Sequence, residues 1–396
     1  MKVALVCDWL VSVGGAEKVL LKLHQMYKDA PIYTSKYDPK GIDWFQDADV
    51  RTGSLQKYPN CLRKVLGPLR QRYFSRLDLS GYDVIISVTG AEAKAVKSGK
   101  WLSSHGKPAK NPKGIHISYC HVPTQYYWQM YDTYVKNPGF GVLNPFIRLG
   151  FRLFVNPLRS ADFKAAQRPD YYVTISEYSK EMIKKYYGKE AEVIHPPVEI
   201  EDFKARESGG KKKDFYVTTS RQVNWKRLDL AVKAVMATQR KLVVIGEGPE
   251  HKKLVKLAEG SGLVEFLPLM KKDELAKKLA EAKGYIFPSL EPFGIAPVEA
   301  LAAGCPVIAY GEGGALDYIV DGENGILFQP QTTVGLAEGI LRFEKSSFSA
   351  GKVSRSADKF ADKRFEKEIK EFVEQRVGVD LAKKDLAKKD GKDAKK

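Results

Sequence analysis

The sequence predicts an α/β fold with two doubly wound domains, each a parallel sheet with helices on both faces. Three observations predict this fold class. At 396 residues, of which 43% are hydrophobic, the chain is too long for one compact core. Strand-like and helix-like patterns alternate along it, as in repeated βαβ units. The alternation restarts after a polar, basic segment at residues 205–213, which is the best candidate for a linker.

Short apolar runs predict the strands of the first half. They read VALVCDW, APIYTS, DVIISV, IHISYCHVP, DYYVTIS and EVIHPPV. An amphipathic helix is predicted from Val13 to Tyr27, entered through Gly14 and Gly15. A second helix, EYSKEMIKKYYG, is predicted to end at Gly188, because glycine commonly follows the last helical residue.

The second half repeats the alternation. Its predicted strands are DFYVTTS, KLVVIGEG, VEFLPLM, GYIFPS and CPVIAY, and its predicted helices are LDLAVKAVMAT, HKKLVKLAEGSG and DELAKKLAEA. A long charged helical pattern follows, roughly from Ser356 to Arg376, and then a lysine-rich tail of low complexity, disordered or transiently helical. We therefore predict domains at 1–200 and 201–355, a helix at 356–378 and a basic tail at 379–396.

The segment from Phe287 to Phe328 carries the most informative functional pattern. Glu291 and Glu299 have seven residues between them, with a Pro/Gly-rich turn and then a helical run that starts near Pro297 and ends at Gly304. This pattern places Glu291 on a loop and Glu299 in the first helical turn. Carboxylates accept hydrogen bonds from sugar hydroxyls, and helix N-termini favour phosphate. A nucleotide diphosphate sugar has both features, whereas the alternative is a pair of solvated surface glutamates.

Cations and glycines follow two other strands. Arg221 and Lys226 come after FYVTTS, where they could bind a diphosphate and stabilise charge on a leaving nucleoside diphosphate. Gly14 and Gly15 follow the first strand, where they could approach phosphate closely or simply form a tight turn. The segment has no GxGxxG fingerprint, so a dinucleotide site is unsupported.

Residues 116–131, HISYCHVPTQYYWQMY, contain two histidines and a dense aromatic group. His121 is better placed for function than His116, because it falls at the loop edge after an alternating strand, just before Pro123. The aromatic residues could stack on sugar rings or form a plain hydrophobic wall. They are Tyr119, Tyr126, Tyr127, Trp128 and Tyr131.

Residues 140–163 mix large apolar side chains with Arg148, Arg152 and Arg159. One interpretation is an amphipathic helix that faces the core. The other is an interfacial helix that docks on an anionic membrane, where lipid-linked acceptors would be found.

Composition excludes several classes of protein and leaves others open. The net charge of +17 indicates an anionic partner, such as nucleic acid, anionic lipid or a sugar nucleotide. No nucleic-acid motif is recognisable, so we predict no nucleic-acid partner. No apolar run reaches the roughly 18 residues of a membrane span, and the N-terminus lacks a signal peptide, so we expect a cytoplasmic protein. Four scattered cysteines without a CxxC pair predict neither a disulfide framework nor a zinc site.

Successive segments of the chain resemble retaining glycosyltransferase family 4, which has the GT-B fold of two Rossmann-like domains facing each other across a cleft. The resemblance covers nearly the whole chain, and its motifs occur in the family's order. Within the family the chain is most similar to bacterial mannosyltransferases of polysaccharide and O-antigen assembly, many of which use GDP-mannose. The matching segments are GGAEKVL, SYCHVPTQYYW, VIHPPVEIEDF, SRQVNWKRLDLAVKA and EPFGIAPVEALAAGCPVIA.

The resemblance implies roles for the donor-binding residues. Glu299 would bind the ribose hydroxyls of the nucleotide. Glu291 would bind the sugar hydroxyls, together with the backbone amides around Phe293, Gly294 and Ile295.

The resemblance also implies which residues contact the donor's diphosphate and the reacting end of its sugar. Arg221 and Lys226 would hold the diphosphate, Gly15 would approach it from the first domain, and His121 would contact the donor sugar. Family members need no metal ion and no other cofactor, and they retain the anomeric configuration without an enzyme nucleophile. The C-terminal helix would cross back onto the first domain.

Two function classes remain beside sugar transfer. A nucleotide-sugar 2-epimerase can share this two-domain fold and would need no acceptor. A basic nucleic-acid-binding protein is suggested by the charge alone and would show a steep salt dependence of binding.

Overall fold

The computed structural model describes residues 1–60, 66–136, 141, 144–204 and 212–393, with side chains up to residue 378. The chain divides into two compact units. The first contains Met1–His195 and Glu366–Lys396, and the second contains Pro196–Phe365. Each unit contains one parallel sheet whose strands are joined by helical crossovers, which confirms the predicted fold class.

The first unit contains a seven-stranded sheet in the order β3-β2-β1-β4-β5-β6-β7, with every pair of neighbours parallel. The central strands are buried throughout, as expected of strands covered on both faces. The strands are β1 (Val3–Cys7), β2 (Ile32–Thr34), β3 (Val50–Arg51), β4 (Val84–Thr89), β5 (Ile115–Cys120), β6 (Tyr171–Thr174) and β7 (Glu192–Val193).

Six helices join the strands of the first unit in its described residues. Helix α6 ends as the sequence predicts, because Gly188 follows it in the left-handed conformation, with φ +63°. The helices are α1 (Gly15–Met26), α2 (Gly67–Arg76), α3 (Gly99–Ser104), α4 (Tyr131–Lys136), α5 (Asn144–Ala166) and α6 (Glu177–Tyr187).

The second unit contains a six-stranded parallel sheet in the order β10-β9-β8-β11-β12-β13. The strands are β8 (Lys213–Thr219), β9 (Leu242–Ile245), β10 (Val264–Leu267), β11 (Ala282–Phe287), β12 (Val307–Tyr310) and β13 (Gly325–Phe328). The helices are α7 (Leu228–Ala237), α8 (His251–Ala258), α9 (Lys272–Glu281), α10 (Ile295–Ala302), α11 (Thr333–Glu344) and α12 (Ala350–Arg355). Apolar residues of β8, β9, α7 and α11 form the largest part of its core.

Helix α13 (Asp362–Asp393) starts later than the predicted C-terminal helix, which begins at Ser356. The intervening residues include a short 3-10 turn, Asp358–Phe360. It places the buried Phe360 ring against the Phe293 ring, and both residues belong to the second unit. The first part of the predicted tail, residues 379–393, belongs to this helix, which ends at Asp393.

The units divide after His195 and after Phe365, whereas the sequence suggests boundaries after residues 200 and 355. Most of the predicted linker, residues 205–211, lies outside the described residues.

Candidate functional site

The strand order of each sheet reverses beside its first strand, and ligands of such sheets bind beyond the carboxyl ends of the strands at that point. In the second unit the reversal lies between β8 and β11, which pair directly. Arg221 and Lys226 follow β8, and Glu291 follows β11. The structure therefore brings together loops that are far apart in sequence.

Lys226 and Glu291 form an ion pair at this edge of the sheet. The Lys226 Nζ atom lies 2.5 Å from Glu291 Oε1, and the Ser289 hydroxyl donates to the same oxygen at 2.8 Å. Both side chains of the pair are partly buried. The sequence assigns these residues separately, one to phosphate and one to sugar, whereas the structure places them in direct contact.

The backbone after Glu291 is shaped by a glycine. Gly294 has φ +93°, a conformation that favours glycine, and a Cβ atom there would lie 2.7 Å from Phe287 Cζ. Helix α10 begins at the next residue, Ile295, so its unpaired N-terminal amides start at this turn. The Phe293 side chain is buried, and its carbonyl accepts a hydrogen bond from the Tyr318 hydroxyl at 2.9 Å.

The prediction that Glu299 lies in the first helical turn is wrong. Helix α10 starts at Ile295, two residues before Pro297, so Glu299 falls at the start of the second turn. The first helical amides have no intrahelical partner, and proline is therefore accommodated at the third position as well as the first. Glu299 remains on the same helix face as Ile295, one turn along, and it is buried.

Arg221 is exposed, but the next residue, Gln222, is fully buried and hydrogen-bonded to the loop after β9. Its Nε2 donates to the Gly246 carbonyl at 2.5 Å, and its Oε1 accepts from His251 Nδ1 at 2.8 Å. A Cβ atom on Gly246 or on Gly248 would lie 2.4 Å from a carbonyl oxygen of the β8 loop.

This contact between the two loops is not among the features predicted from the sequence. The only signal is the run GEG after a predicted strand, since glycine at such a position marks a close approach of backbones. The contact holds the backbone that carries Arg221.

We expect Gln222→Ala to lower the free energy of unfolding by about 1–3 kcal/mol, because the buried Gly246 carbonyl and the partly buried His251 ring lose their hydrogen bonds. His251→Ala removes only one of them and should be milder. A double-mutant cycle measured by urea unfolding should give a coupling of about 1 kcal/mol between the two side chains. Strictly additive effects would contradict the hydrogen bond.

In the first unit, the corresponding reversal lies between β1 and β4. Asp8 follows β1, and its carboxylate accepts hydrogen bonds from the Thr89 hydroxyl at 3.0 Å, Gly90 N at 3.0 Å and Ala93 N at 2.7 Å. Burial is the largest effect on this carboxyl group and raises the pKa of Asp8. Asp8, which joins the ends of the two central strands, is not among the residues predicted from the sequence.

Gly14 and Gly15 lie at the start of α1, after a loop of several residues that separates them from β1. Gly14 has an extended backbone, with φ −162°, which any residue can adopt. A Cβ atom on it would meet the flexible carboxylate of Glu17 at 2.7 Å. Gly15 is the first helical residue, so the N-terminal turn of α1 begins there.

His121 directly follows β5, and its ring packs edge-to-face with the Tyr119 ring, with the ring centroids 5.6 Å apart. Its Nε2 is buried and has no hydrogen-bond partner among the described residues. Burial lowers the pKa of His121 to about 4, so the imidazole is neutral at pH 7. His116, by contrast, lies within β5 and bonds to the Ser87 hydroxyl at 2.8 Å, which is a structural role.

Hydrogen bonds inside the first unit hold the aromatic group of residues 119–131 in place. Tyr119 donates to the Ile194 carbonyl at 2.8 Å, and Trp128 donates to Asp162 at 2.8 Å. Tyr126 donates to Glu92 at 2.6 Å. These contacts favour a rigid aromatic wall over freely available stacking faces.

Within the described part of the chain, no three His, Cys, Asp or Glu side chains converge as a metal-binding group. No helix in that part is both long enough and apolar enough to cross a membrane.

Sequence comparison finds a family match within the second unit. Residues 199–364 match the family model described as glycosyl transferases group 1. Alpha-1,3/1,6-mannosyltransferase ALG2 of Mus musculus is 25% identical over 415 residues, which cover 93% of this chain and 94% of that protein. Uncharacterized glycosyltransferase YqgM of Bacillus subtilis (strain 168) is 28% identical over 167 residues, which cover 40% of this chain and 46% of that protein.

Structural comparison extends the similarity to both units. Alr3699/HepE of Anabaena, crystallised in complex with UDP, has a TM-score of 0.68 at 20% identity, and the match covers 95% of this chain and 100% of that one. The lipopolysaccharide outer core galactosyltransferase WaaB has a TM-score of 0.66 at 16% identity, with coverage of 95% and 100%. The chain therefore has the GT-B fold and carries, over residues 199–364, a domain of the glycosyl transferases group 1 family.

Proposed function

We propose that this chain is a retaining glycosyltransferase of family 4. It transfers a sugar, mannose from GDP-mannose, to a glycan or lipid-linked acceptor at the cytoplasmic face of the membrane. The observation that carries the proposal is the Lys226–Glu291 pair beside the Gly294 turn, at the strand-order reversal of the second unit.

The donor's charged and hydroxylated parts match this set of groups. Arg221 and Lys226 hold the diphosphate, and the amides from Phe293 to Ile295 add hydrogen bonds at a helix N-terminus. Glu291 accepts hydrogen bonds from the sugar hydroxyls, and Glu299 accepts them from the ribose. When the diphosphate draws the Lys226 ammonium towards it, Glu291 Oε1 becomes available to the sugar.

The family resemblance assigns further roles to residues of the first unit. Gly15, with Gly14 before it, is proposed as a contact of the phosphate, and the neutral imidazole of His121 is proposed as a contact of the donor sugar near the reacting carbon. A neutral imidazole can take part in hydrogen bonding there without repelling positive charge that develops on the sugar ring.

The chemistry requires stabilisation of a leaving nucleoside diphosphate. The cations Arg221 and Lys226 supply the positive charge, so the reaction proceeds without a metal ion or other cofactor. Retention follows from attack of the acceptor on the face that the phosphate leaves, and the leaving phosphate accepts the acceptor's proton. No side chain acts as a nucleophile.

The relatives are the source of support for the donor's sugar and nucleotide base, and different relatives point to different donors. The mouse relative is named a mannosyltransferase, whereas the Anabaena structures contain UDP and UDP-glucose. Calorimetric titration with GDP, UDP and ADP, and then with the matching sugar nucleotides, distinguishes them. Selective GDP binding supports the proposal. Selective UDP binding would keep the glycosyltransferase but indicate a donor other than GDP-mannose. Interconversion of the sugar nucleotide without an acceptor would favour the 2-epimerase. No binding to any of them would refute the donor site.

We expect Glu299→Ala to weaken binding of the preferred nucleoside diphosphate by about 10–100-fold, the effect of losing hydrogen bonds to a charged acceptor. Glu323→Ala, which removes an exposed glutamate of the same unit, is the matched control and should leave the affinity unchanged. Thermal unfolding checks that both variants are folded. Unchanged affinity of the Glu299 variant for every nucleotide tested would remove this residue from the site.

A further inference from the structure

Helix α5 (Asn144–Ala166) exposes a large apolar face. Phe146 is 74% exposed, Leu149 58%, Leu153 66% and Phe154 62%. The spacing of these residues places them on one side of the first turns of the helix. Exposed large apolar residues that cluster in this way mark an interaction surface, whereas isolated ones do not.

The opposite side of α5 is fixed to the first unit. Phe151 packs on the rings of Tyr127 and Tyr131, and Val155 is buried. Arg148 donates to the Val135 and Lys136 carbonyls at 3.0 Å. The interpretation of this helix as core-facing therefore describes one side of it, and the apolar side defined by Phe146, Leu149, Leu153 and Phe154 points outward.

The C-terminal half of α5 is anchored by Asp162, which is buried. Its Oδ1 lies 2.6 Å from Lys94 Nζ and accepts a hydrogen bond from the Thr124 hydroxyl at 2.8 Å. Its Oδ2 accepts hydrogen bonds from Trp128 Nε1 and the Tyr187 hydroxyl, both at 2.8 Å. These contacts set the rotation of the helix about its axis, so the apolar face cannot turn inward.

The exposed charged residues of α5 itself on its apolar side are cationic. The helix sequence contains no acidic residue before Asp162, and that carboxylate is buried. Arg152 flanks the apolar face and Lys164 lies further along the same side, and both are exposed. The whole chain carries a net charge of +17. An apolar stripe bordered by cations is typical of a helix that lies in the interface of an anionic bilayer.

A second copy of the chain fits this face less well. At roughly 200 Å² for a whole large apolar side chain, these four expose about 500 Å², whereas a stable protein interface needs about 800 Å² on each partner. The helix is also not apolar enough to cross a bilayer.

We propose that the apolar face of α5 docks on the surface of an anionic lipid bilayer, with Phe146, Leu149, Leu153 and Phe154 at acyl-chain depth and Arg152 among the headgroups. This inference rests on the proposed transfer to an acceptor at a membrane face. Its test does not depend on catalysis, so the two can fail separately.

The test is flotation of the full chain with vesicles of phosphatidylcholine and phosphatidylglycerol, compared with phosphatidylcholine alone. The wild-type protein is expected to float with the anionic vesicles. The double variant Leu149→Ser/Leu153→Ser should bind them about tenfold or more weakly, because two apolar side chains no longer enter the bilayer. Nucleotide binding by calorimetry should be unchanged in this variant.

The matched control is Leu69→Ser/Leu341→Ser, which removes two exposed leucines elsewhere and should bind vesicles like the wild type. Three outcomes overturn the proposal. One is a wild-type chain that does not float. Another is equal binding by both double variants, which would locate the attraction in the lysine-rich tail or another basic surface. The third is dimerisation that Leu149→Ser/Leu153→Ser abolishes without any vesicle binding, which would assign the face to a second copy.

Discussion

Replacing Lys226 by alanine is expected to lower kcat/KM for the donor by about 10²–10³-fold, the effect of removing one preorganised group that stabilises transition-state charge. Lys226 contacts Glu291 at 2.5 Å, so the change also releases the carboxylate from its ion pair. A free carboxylate next to a diphosphate repels it. Both effects act in the same direction.

The measurement is the rate at which nucleoside diphosphate is released from the donor chosen by calorimetry. Lys233→Ala removes an exposed lysine of α7 in the same unit and is the matched control, with kcat/KM close to the wild-type value. If both lysine variants retained full activity, the charge-stabilising role of Lys226 would be excluded.

Asp162→Ala is expected to lower the free energy of unfolding by about 3–5 kcal/mol, because it leaves the buried Lys94 ammonium without its counter-ion. Burial alone would lower the pKa of Lys94, but the Asp162 carboxylate outweighs it and raises this pKa. Lys94 therefore stays charged in the folded protein. The hydroxyl groups of Thr124 and Tyr187 and the indole N–H of Trp128 lose their acceptor as well.

Urea unfolding followed by circular dichroism measures the effect. Asp29→Ala changes an exposed aspartate of the first unit and should cost less than about 0.5 kcal/mol. The double variant Lys94→Met/Asp162→Leu should recover part of the loss, because it removes both buried charges together. A loss below 1 kcal/mol for Asp162→Ala would contradict the proposed anchoring of α5.

The elements of the fold were largely predictable, since they depend on local patterns. Apolar runs bounded by turn residues correctly indicated eleven of the thirteen described strands, whereas the short strands β3 and β13 were not predicted. Gly188 and Gly304 follow helices where expected, and both adopt positive φ. The start of α10 was missed by two residues. A proline is equally acceptable anywhere in the first helical turn, so Pro297 could not show where the helix begins.

Contacts within the site were harder to predict, since they depend on which strands become neighbours. Glu291 and Lys226 were each identified, but their contact follows from the pairing of β8 with β11. Gln222 had no visible partner in the sequence. Its burial against Gly246 and His251 depends on the pairing of β8 with β9.

The sequence by itself determined the α/β class, the repeated units and the residue types of the candidate site, because periodicity, glycine placement and residue type are local properties. Only the tertiary structure decided which side of α5 faces outward. That helix has apolar residues on both sides, and its rotation is set by Asp162 and Arg148, whose partners come from other helices, turns and loops. The apolar face of α5 is therefore a property of packing, which no local pattern specifies.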